Sequence, residues 1–326
     1  MLNERGKGGA VRDRRPKGVF GVAWACFESA ALGRSEHAPT AKDYPDTVVR
    51  RIAVRAGGGL GWTLSALETP REAPTPWKIV VITGAPSWAE YWAPVLAALP
   101  ADRHMVVVDR PGFALSEPPT CVPDIRMQAV ALSSLLETAP GQKVLLVGQS
   151  YGAAIAALMA AEHPRKVHGV VMLSSFLGEF GPTSRWLVEM GERFAGVIPR
   201  DLRHAVIEVT GHSAQLAHMR RALPRLKAPI HVIHGDNDDF APIEAVEKLI
   251  AEIRRPVMRY HRAAGANHFL NDGPPEVLLE LLEACIPPAP APRKGFALPK
   301  LTWPWLKLKP AKPVAAGAQA RAASAP

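Results

Sequence analysis

Short apolar runs alternate with longer mixed stretches through the middle of the chain. The runs are four residues long, rich in Val, Ile and Leu, and lie at 79–82, 105–108, 144–147, 170–173 and 230–233. Each run is too short for a helix and, apart from His231, is entirely apolar, so it predicts a strand buried on both faces, as in a parallel sheet. The stretches between the runs, such as 128–137 and 153–162, have the composition of helices. This order predicts an α/β fold in which helices flank a mostly parallel central sheet.

Two further patterns adjoin these runs. Apolar and polar residues alternate at 48–54, and after three consecutive glycines residues 62–67 predict a strand that pairs with the first. The regular order of strand and helix breaks between Phe176 and Leu226, where helical segments, glycine and proline occur without a buried strand. A segment of this kind between two strands predicts a small helical cap at about 176–227.

Composition divides the chain into three parts. Of its 326 residues, 48% are hydrophobic and 21% are charged, as is typical of a globular protein with a sizeable core. Residues 1–45 are polar and rich in Gly and Arg, whereas residues 287–326 are rich in Pro, Ala and Lys. Because proline removes backbone donors and prevents helix formation, we expect a flexible basic leader at 1–45, an α/β domain at 46–286 and a disordered basic tail at 287–326.

The formal charge of +9 comes from the two ends of the chain. Residues 1–18 contain six Lys or Arg and two acidic residues, and residues 291–326 contain seven Lys or Arg and no acidic residue. The part between them therefore has a net charge of −2. A nucleic-acid-binding domain would carry its positive charge on the folded surface, so we expect no nucleic-acid partner.

Cysteine spacing and hydropathy bear on the compartment. Cys26, Cys121 and Cys285 are far apart, which indicates neither a disulfide framework nor a metal motif. No run of 18 apolar residues occurs, so we expect no membrane-spanning helix. These features favour the cytoplasm. The alternative is export or membrane association through the N-terminal segment, where Arg14 and Arg15 precede a short apolar stretch that reaches Cys26.

The segment Gly148-Gln149-Ser150-Tyr151-Gly152 lies directly between a predicted strand and a predicted helix. A sharp turn there strains the backbone of the central residue, and the two glycines remove Cβ atoms that would otherwise collide. Such a turn lifts the Ser150 hydroxyl above the sheet edge, at the positive end of the helix. The segment therefore predicts that Ser150 is a nucleophile. The alternative is a serine that caps an ordinary helix.

A serine nucleophile needs a base within hydrogen-bonding reach. His268 is the candidate base, because it lies in a loop between the strand-like residues 257–260 and the helix-like residues 275–284. Other histidines are weaker candidates: we expect structural roles for His231 and His234, whereas substrate contact stays open for His204, His212 and His218.

The base in turn needs a carboxylate that holds its tautomer and stabilises the imidazolium. Asp238 is the candidate acid, because it lies out in the loop that follows the strand at 230–233. We expect Asp236 and Asp239 to cap this loop or to face solvent. A calcium site is the alternative for the acidic cluster, but the glycine and the later glutamate of a calcium loop are absent.

The order Ser150, Asp238, His268 resembles that of the α/β-hydrolase fold family, and the likeness covers about residues 48–285. Gly235-x-x-Asp238, followed by a proline four residues later, resembles the acid loop of the family. Residues 265–269 resemble its histidine loop, and residues 106–116 resemble the strand and loop that precede the lidded active site. The resemblance implies acyl transfer by a catalytic triad of Ser150, Asp238 and His268.

The resemblance also implies an oxyanion hole made by the backbone N–H groups of Ala85 and Tyr151. Members of the family usually have His-Gly where this chain has Thr83-Gly84. We therefore expect the Thr83 hydroxyl to replace the imidazole that commonly braces this loop.

The predicted activity is that of a carboxylester hydrolase that acts on a small, apolar molecule and requires no cofactor or metal. A serine rather than an aspartate at position 150 argues against a dehalogenase or an epoxide hydrolase. The aromatic residues of the predicted cap, Phe176, Phe180 and Trp186, are candidates for a substrate pocket, or they pack the cap on the sheet. The alternatives are cleavage of a carbon–carbon or amide bond, acyl transfer to an acceptor other than water, and a non-catalytic binding protein.

The C-terminal tail combines lysines with two tryptophans, Trp303 and Trp305. This combination suits a weak contact with an anionic membrane, because tryptophan prefers the interface and lysine the headgroups. The alternative, which we favour, is a solvated tail, since its prolines interrupt any amphipathic helix. The sequence gives no indication of the oligomeric state.

Overall fold

The computed structural model of the protein describes residues 39–253 and 258–286. The strands of the described part are β1 (Arg50–Arg55), β2 (Thr63–Glu68), β3 (Trp77–Ile82), β4 (Arg103–Val108), β5 (Lys143–Gln149), β6 (Val167–Leu173), β7 (Ile230–Gly235) and β8 (Met258–Ala263). They form one sheet in the order β1-β2-β4-β3-β5-β6-β7-β8.

The α-helices of the same residues are α1 (Ala93–Ala97), α2 (Ile125–Leu132), α3 (Gly152–Glu162), α4 (Pro182–Arg193), α5 (Arg200–Ala222), α6 (Ile243–Ile253) and α7 (Pro275–Cys285). Short 3₁₀ helices lie at Ala41–Asp43, Ala89–Trp92, Ser133–Leu136, Leu223–Arg225 and Leu270–Asp272.

The mostly parallel sheet predicted from the apolar runs is confirmed. The strands from β4 through β3, β5, β6 and β7 to β8 pair in parallel, whereas β1 and β2 form an antiparallel pair at one edge. The central strands are buried on both faces because helices cover each side, which explains why their sequences lack polar alternation. The carboxyl ends of the parallel strands therefore meet at one edge of the sheet, where ligands bind in folds of this kind.

Two hydrophobic layers hold the helices on the sheet. One layer contains α2, α3 and α6, with apolar side chains of α5 added to it. The other contains α1 and α7 and includes the fully buried Trp92. The helix after the Ser150 turn, α3, is apolar on all sides because it lies between β5, β6, α2 and α5.

The helix predicted at 128–137 differs from the observed one at both ends. α2 begins at Ile125, because the carboxylate of Asp124 accepts hydrogen bonds from the backbone N–H groups of Arg126 and Met127. Residues 133–136 continue it as a 3₁₀ helix. The prediction therefore missed the N-cap at Asp124 and did not distinguish the α-helix from the 3₁₀ helix that follows it.

Two helices, α4 and α5, lie between β6 and β7, in the segment where the sequence predicted a cap. At the other end of the described chain, the Ala41 N–H donates to the Glu90 carboxylate at 2.6 Å. The predicted leader up to residue 38 and the predicted tail at 287–326, with its proposed membrane contact, lie outside the described residues. None of the helices described here is both long enough and apolar enough to cross a membrane.

Candidate active site

The predicted sharp turn is present between β5 and α3. Ser150 has a φ of 52°, in the left-handed region that non-glycine residues rarely adopt. A Cβ atom on Gly148 would lie 2.5 Å from the Gly152 carbonyl oxygen, and one on Gly152 would lie 2.3 Å from the Ile82 carbonyl oxygen. Both glycines are therefore required by close backbone packing. The N-cap of α3 is Tyr151, so Ser150 is not an ordinary helix cap.

The structure brings Ser150, His268 and Asp238 together in one hydrogen-bonded chain. Nε2 of His268 lies 3.0 Å from Oγ of Ser150, and Nδ1 of His268 lies 2.8 Å from Oδ2 of Asp238. Because the carboxylate only accepts, Nδ1 donates to Asp238 and Nε2 is left to accept the Ser150 proton. The three side chains come from the loops after β5, β7 and β8, so the parallel sheet itself causes them to meet.

Asp238 is buried, and its oxygen atoms are fully occupied. Oδ1 accepts from the backbone N–H groups of Phe240 at 2.9 Å and Ala241 at 2.8 Å. Nε2 of His234 lies 3.2 Å from Oδ2, so His234, which the sequence indicated only as structural, contacts the acid directly. Burial by itself would raise the pKa of Asp238, but His268, the Ala241 N–H and His234 outweigh it and hold the pKa below its ordinary value.

The acid loop and the histidine loop are fastened to each other. Oδ1 of Asp236 accepts from the Gly265 N–H at 2.6 Å, and the Ala266 carbonyl accepts from the Asn237 N–H at 3.0 Å. A Cβ atom on Gly235 would lie 2.2 Å from that same carbonyl oxygen, which explains the glycine that begins the acid loop. Asp236 therefore caps a neighbouring loop, one of the two roles that the sequence indicated for it.

Asp239 takes part in a different contact. Its carboxylate accepts from the Thr183 hydroxyl at 2.5 Å, at the beginning of α4. Next to it, the ring of Phe240 stacks on the imidazole of His268, with 5.2 Å between centroids and 17° between planes. Phe240 thus packs on the face of the imidazole, while Asp238 accepts a hydrogen bond from Nδ1 at its edge.

The loop after β3 lies beside Ser150. A Cβ atom on Gly84 would be 3.0 Å from Cβ of Ser150, so any side chain here would push the loop away from the serine. Tyr151 follows Ser150 in the sequence, whereas Ala85 follows Gly84, the residue of the β3 loop that approaches Ser150. The Thr83 hydroxyl bonds to the Ser87 hydroxyl and donates to the Val108 carbonyl at 3.3 Å.

Comparison with known proteins agrees with this architecture. A family model described as "alpha/beta hydrolase fold" matches residues 78–220. The described part of the chain has the α/β-hydrolase fold.

Three proteins that resemble this chain differ in their named activities. A Pseudomonas putida protein named 2-hydroxy-6-oxononadienedioate/2-hydroxy-6-oxononatrienedioate hydrolase 2 is 25% identical over 208 residues, 52% of this chain and 73% of that protein. An esterase from Thermogutta terrifontis, solved with malate bound, superposes with a TM-score of 0.55 at 17% identity, over 72% of this chain and 97% of its own. A bacterial membrane phospholipase A superposes with a TM-score of 0.55 at 20% identity, over 73% of this chain and 86% of its own. At these identities the two solved structures share the fold alone.

The loop after β3 has a support that the sequence did not reveal. Arg110, in the loop after β4, is fully buried and donates from Nε to the Thr83 carbonyl at 2.9 Å and from Nη2 to the Gly84 carbonyl at 2.7 Å. The same guanidinium forms a two-bond ion pair with the buried Glu208 of α5, with both N···O distances 2.7 Å. A cation two residues after a fully apolar run was a visible signal for Arg110, but Glu208 had none.

A second network links the serine turn to the histidine loop. Oε1 of Gln149 accepts from the Trp92 indole at 2.9 Å, and Nε2 of Gln149 donates to Asn271 Oδ1 at 2.6 Å. Asn271 in turn donates to the Tyr91 carbonyl at 3.2 Å. These buried amides tie the residue before Ser150 to the 3₁₀ helix that contains Trp92 and to the segment that follows His268.

The predicted pocket residues lie partly in one aromatic row that begins beside Ser150. The ring of Tyr151 is 4.3 Å from that of His212, His212 is 5.5 Å from Phe176, and Phe176 is 5.2 Å from Phe180. Burial lowers the pKa of His212 to about 4, so its ring is neutral at pH 7. Trp186, the third predicted pocket residue, is partly buried on α4.

The other histidines contact protein groups. Nδ1 of His204 lies 2.7 Å from the Gly112 carbonyl oxygen. His231 stacks on His261, with 3.1 Å between Nδ1 and Nε2, and burial lowers the pKa of His231 to about 4. Nδ1 of His218 accepts from Arg221 at 3.2 Å.

Proposed function

We propose that this protein is a serine hydrolase that cleaves an ester-like bond through an acyl-enzyme on Ser150. The observation that supports it most directly is the hydrogen-bonded chain of 3.0 Å and 2.8 Å from Ser150 through His268 to Asp238. A serine becomes nucleophilic only when a base can remove its proton, and this base is oriented by a buried carboxylate.

In the proposed cycle His268 accepts the Ser150 proton as the hydroxyl oxygen attacks the substrate carbonyl. Asp238 stabilises the imidazolium that forms, since its pKa is held low and it stays ionised. His268 then donates the proton to the leaving alcohol. Water repeats the sequence on the acyl-enzyme, which releases the acid and restores the serine.

The negative oxygen of the tetrahedral intermediate needs donors that are already in place. We assign these to the backbone N–H groups of Ala85 and Tyr151, which border Ser150 from the β3 loop and from the start of α3. Loss of one such donor typically lowers kcat by about 10²- to 10³-fold.

The surroundings favour a small, uncharged, apolar acyl group. The row of rings from Tyr151 to Phe180 is buried at Tyr151, His212 and Phe176 and partly exposed at Phe180, so its Phe180 end can offer apolar surface to a substrate. Arg110, whose guanidinium lies over the Tyr151 ring, is already paired with Glu208 and is fully buried. Its charge is therefore not available to bind a substrate carboxylate.

The main alternative is hydrolysis of a carbon–carbon bond, and the Pseudomonas putida relative motivates it. The substrate in its name bears hydroxyl, keto and carboxylate groups and no ester or amide, so its hydrolysis breaks a carbon–carbon bond. That substrate is a dicarboxylate, which the paired state of Arg110 does not favour here.

A fluorophosphonate probe tests the proposed nucleophile in the full-length protein. The probe should label one site, and peptide mapping should place the label on Ser150. Ser150→Ala should abolish labelling, whereas Ser133→Ala, which removes a hydroxyl bonded within its own turn, should leave it unchanged. Absence of labelling in the wild type would reject the serine hydrolase and favour a binding protein.

Substrate class is tested by turnover. Esters of graded acyl length should be hydrolysed with a preference for apolar acyl groups, and an added alcohol should not divert the product to a new ester. Faster turnover of a 1,5-diketone of the 2-hydroxy-6-oxo-dienoate type would favour the carbon–carbon alternative. Diversion to the new ester would identify an acyltransferase.

A further inference from the structure

A buried ion pair joins the cap to the loop beside Ser150. Arg110 follows β4 and Glu208 lies in the middle of α5, and both side chains are 0% exposed. Burying two charges is costly unless their hydrogen bonds are complete, so a pair of this kind needs a structural or functional reason.

Every N–H donor of the Arg110 guanidinium has a partner. The acceptors are the Thr83 carbonyl, the Gly84 carbonyl, the Gln128 amide oxygen and both oxygens of Glu208. Arg110 is therefore saturated and has no donor left for a substrate. Its function must lie in the groups that it holds.

Two of these groups are successive carbonyls of the oxyanion loop. The Gly84–Ala85 peptide is trans, so its N–H points opposite to its carbonyl. Because the Gly84 carbonyl is bound to Arg110 at 2.7 Å, the Ala85 N–H must point away from the guanidinium. The bond to the Thr83 carbonyl fixes the preceding peptide plane in the same way.

The guanidinium also contacts the other proposed donor residue. Its central carbon lies 4.7 Å from the ring centroid of Tyr151 and 4.8 Å from that of Phe113. Arg110 thus binds the carbonyl of the peptide group that contains the Ala85 N–H, and it contacts the side chain of Tyr151. One side chain therefore contacts the residues of both proposed donors.

We propose that Arg110 and Glu208 are positioning residues for the oxyanion hole, and that Glu208 makes this position depend on the seating of the cap helix α5. This inference rests on the proposed serine hydrolase function. Thr83 stands where the family usually has a histidine, and the Arg110–Glu208 pair supplies the rigidity that the loop would otherwise lack.

The test compares variants that break the pair with one that replaces it. Arg110→Lys and Glu208→Gln should each lower kcat on an ester by about 10- to 100-fold, with KM changed less than about threefold, because a displaced donor weakens the transition state more than ground-state binding. The affinity for a trifluoromethyl ketone, which forms a tetrahedral adduct with the serine, should fall by the same factor as kcat/KM.

The double variant Arg110→Met/Glu208→Leu separates positioning from stability. Apolar replacement of a buried pair is often neutral or stabilising, so this variant should fold even where a single variant does not. It should nevertheless stay slow, since the Thr83 and Gly84 carbonyls have lost their donors. Gln215→Ala is the matched control, because it removes two bonds between α5 and residues 123 and 125 and leaves the loop untouched.

The outcomes are distinct. A folded double variant with wild-type kcat and wild-type ketone affinity would overturn the positioning role while the serine hydrolase stands. An equal loss of kcat in Gln215→Ala would show that any weakened cap contact slows the enzyme, and would also overturn it. A wild type that neither labels nor turns over esters would overturn the proposed function, and this inference with it.

Discussion

Acid is expected to destabilise the folded protein through His212. The ring is fully buried between Tyr151 and Phe176, and burial lowers its pKa from the ordinary 6.5 to about 4. As the pH falls below 6.5, the unfolded chain binds a proton at this residue while the folded chain does not. Protonation therefore favours the unfolded state between pH 6.5 and about 4.

The size of the effect follows from the two pKa values. Each pH unit between them is worth about 1.4 kcal/mol, so a drop from 6.5 to about 4 corresponds to roughly 3 kcal/mol once both states are protonated. Between pH 7 and pH 4.5 the loss is roughly 2 kcal/mol. This is a large fraction of the roughly 5–15 kcal/mol that typically stabilises a domain.

Urea unfolding at pH 7 and pH 4.5 measures this loss. His212→Phe retains an aromatic ring between the two neighbouring rings but cannot titrate. The loss of stability between the two pH values should therefore be roughly 2 kcal/mol smaller in this variant than in the wild type. His218→Phe is the matched control, because it makes the same substitution at a partly exposed position of the same helix.

The comparison of differences isolates His212, because other titrating groups contribute equally to both proteins. If His212→Phe and the wild type lose the same stability, the His212 ring must accept a proton in the folded state, and the argument from burial fails. The slope of the free energy of unfolding against urea concentration should stay constant, which verifies that the same transition is compared.

Two further predictions concern the serine turn and the acid. Gly152→Ala should destabilise the protein by about 1–3 kcal/mol and abolish ester turnover, since its Cβ would lie 2.3 Å from the Ile82 carbonyl oxygen. Gly211→Ala, on an exposed helical position with nothing within 4 Å, should instead stabilise it by about 1 kcal/mol, and thermal unfolding distinguishes the two. Asp238→Asn should lower kcat by about 10⁴-fold with little change in KM, because the amide favours the wrong imidazole tautomer. A loss under tenfold in steady-state kinetics would contradict the assigned role of Asp238.

The sheet and the three central residues could be predicted because each has a local signature. Runs such as 144–147 are apolar at every position because helices cover both faces of the strand. Gly148 and Gly152 are required by contacts of their own backbone, so the turn around Ser150 is specified within five residues. His268 and Asp238 each follow a strand of the same sheet, and this placement alone brings their loops to one edge.

The supports of these residues could not be predicted, since their partners are distant in the sequence. Glu208 lies on a largely polar helix, where a glutamate ordinarily indicates a solvated face. It is buried only because Arg110, nearly a hundred residues earlier, requires a counter-charge beneath the cap. His234 was interpreted as structural from its strand, and its contact with Asp238 depends on how the loop after β7 turns back.

The cap is bonded to both halves of the proposed machinery. At one end, the start of α4 is fastened to the acid loop, because the Thr183 hydroxyl donates to Asp239 and the Ser184 hydroxyl donates to the Phe240 carbonyl at 2.6 Å. At the other end, Glu208 of α5 holds the guanidinium that supports the oxyanion loop. Apolar contacts alone would be enough to hold a segment that only covers a pocket. Buried polar contacts at both ends would then cost desolvation free energy without a gain in function. Their presence favours an arrangement in which the segment between β6 and β7 helps to position the groups of the proposed active site. Substitution of Glu208 should then lower kcat more than it changes KM.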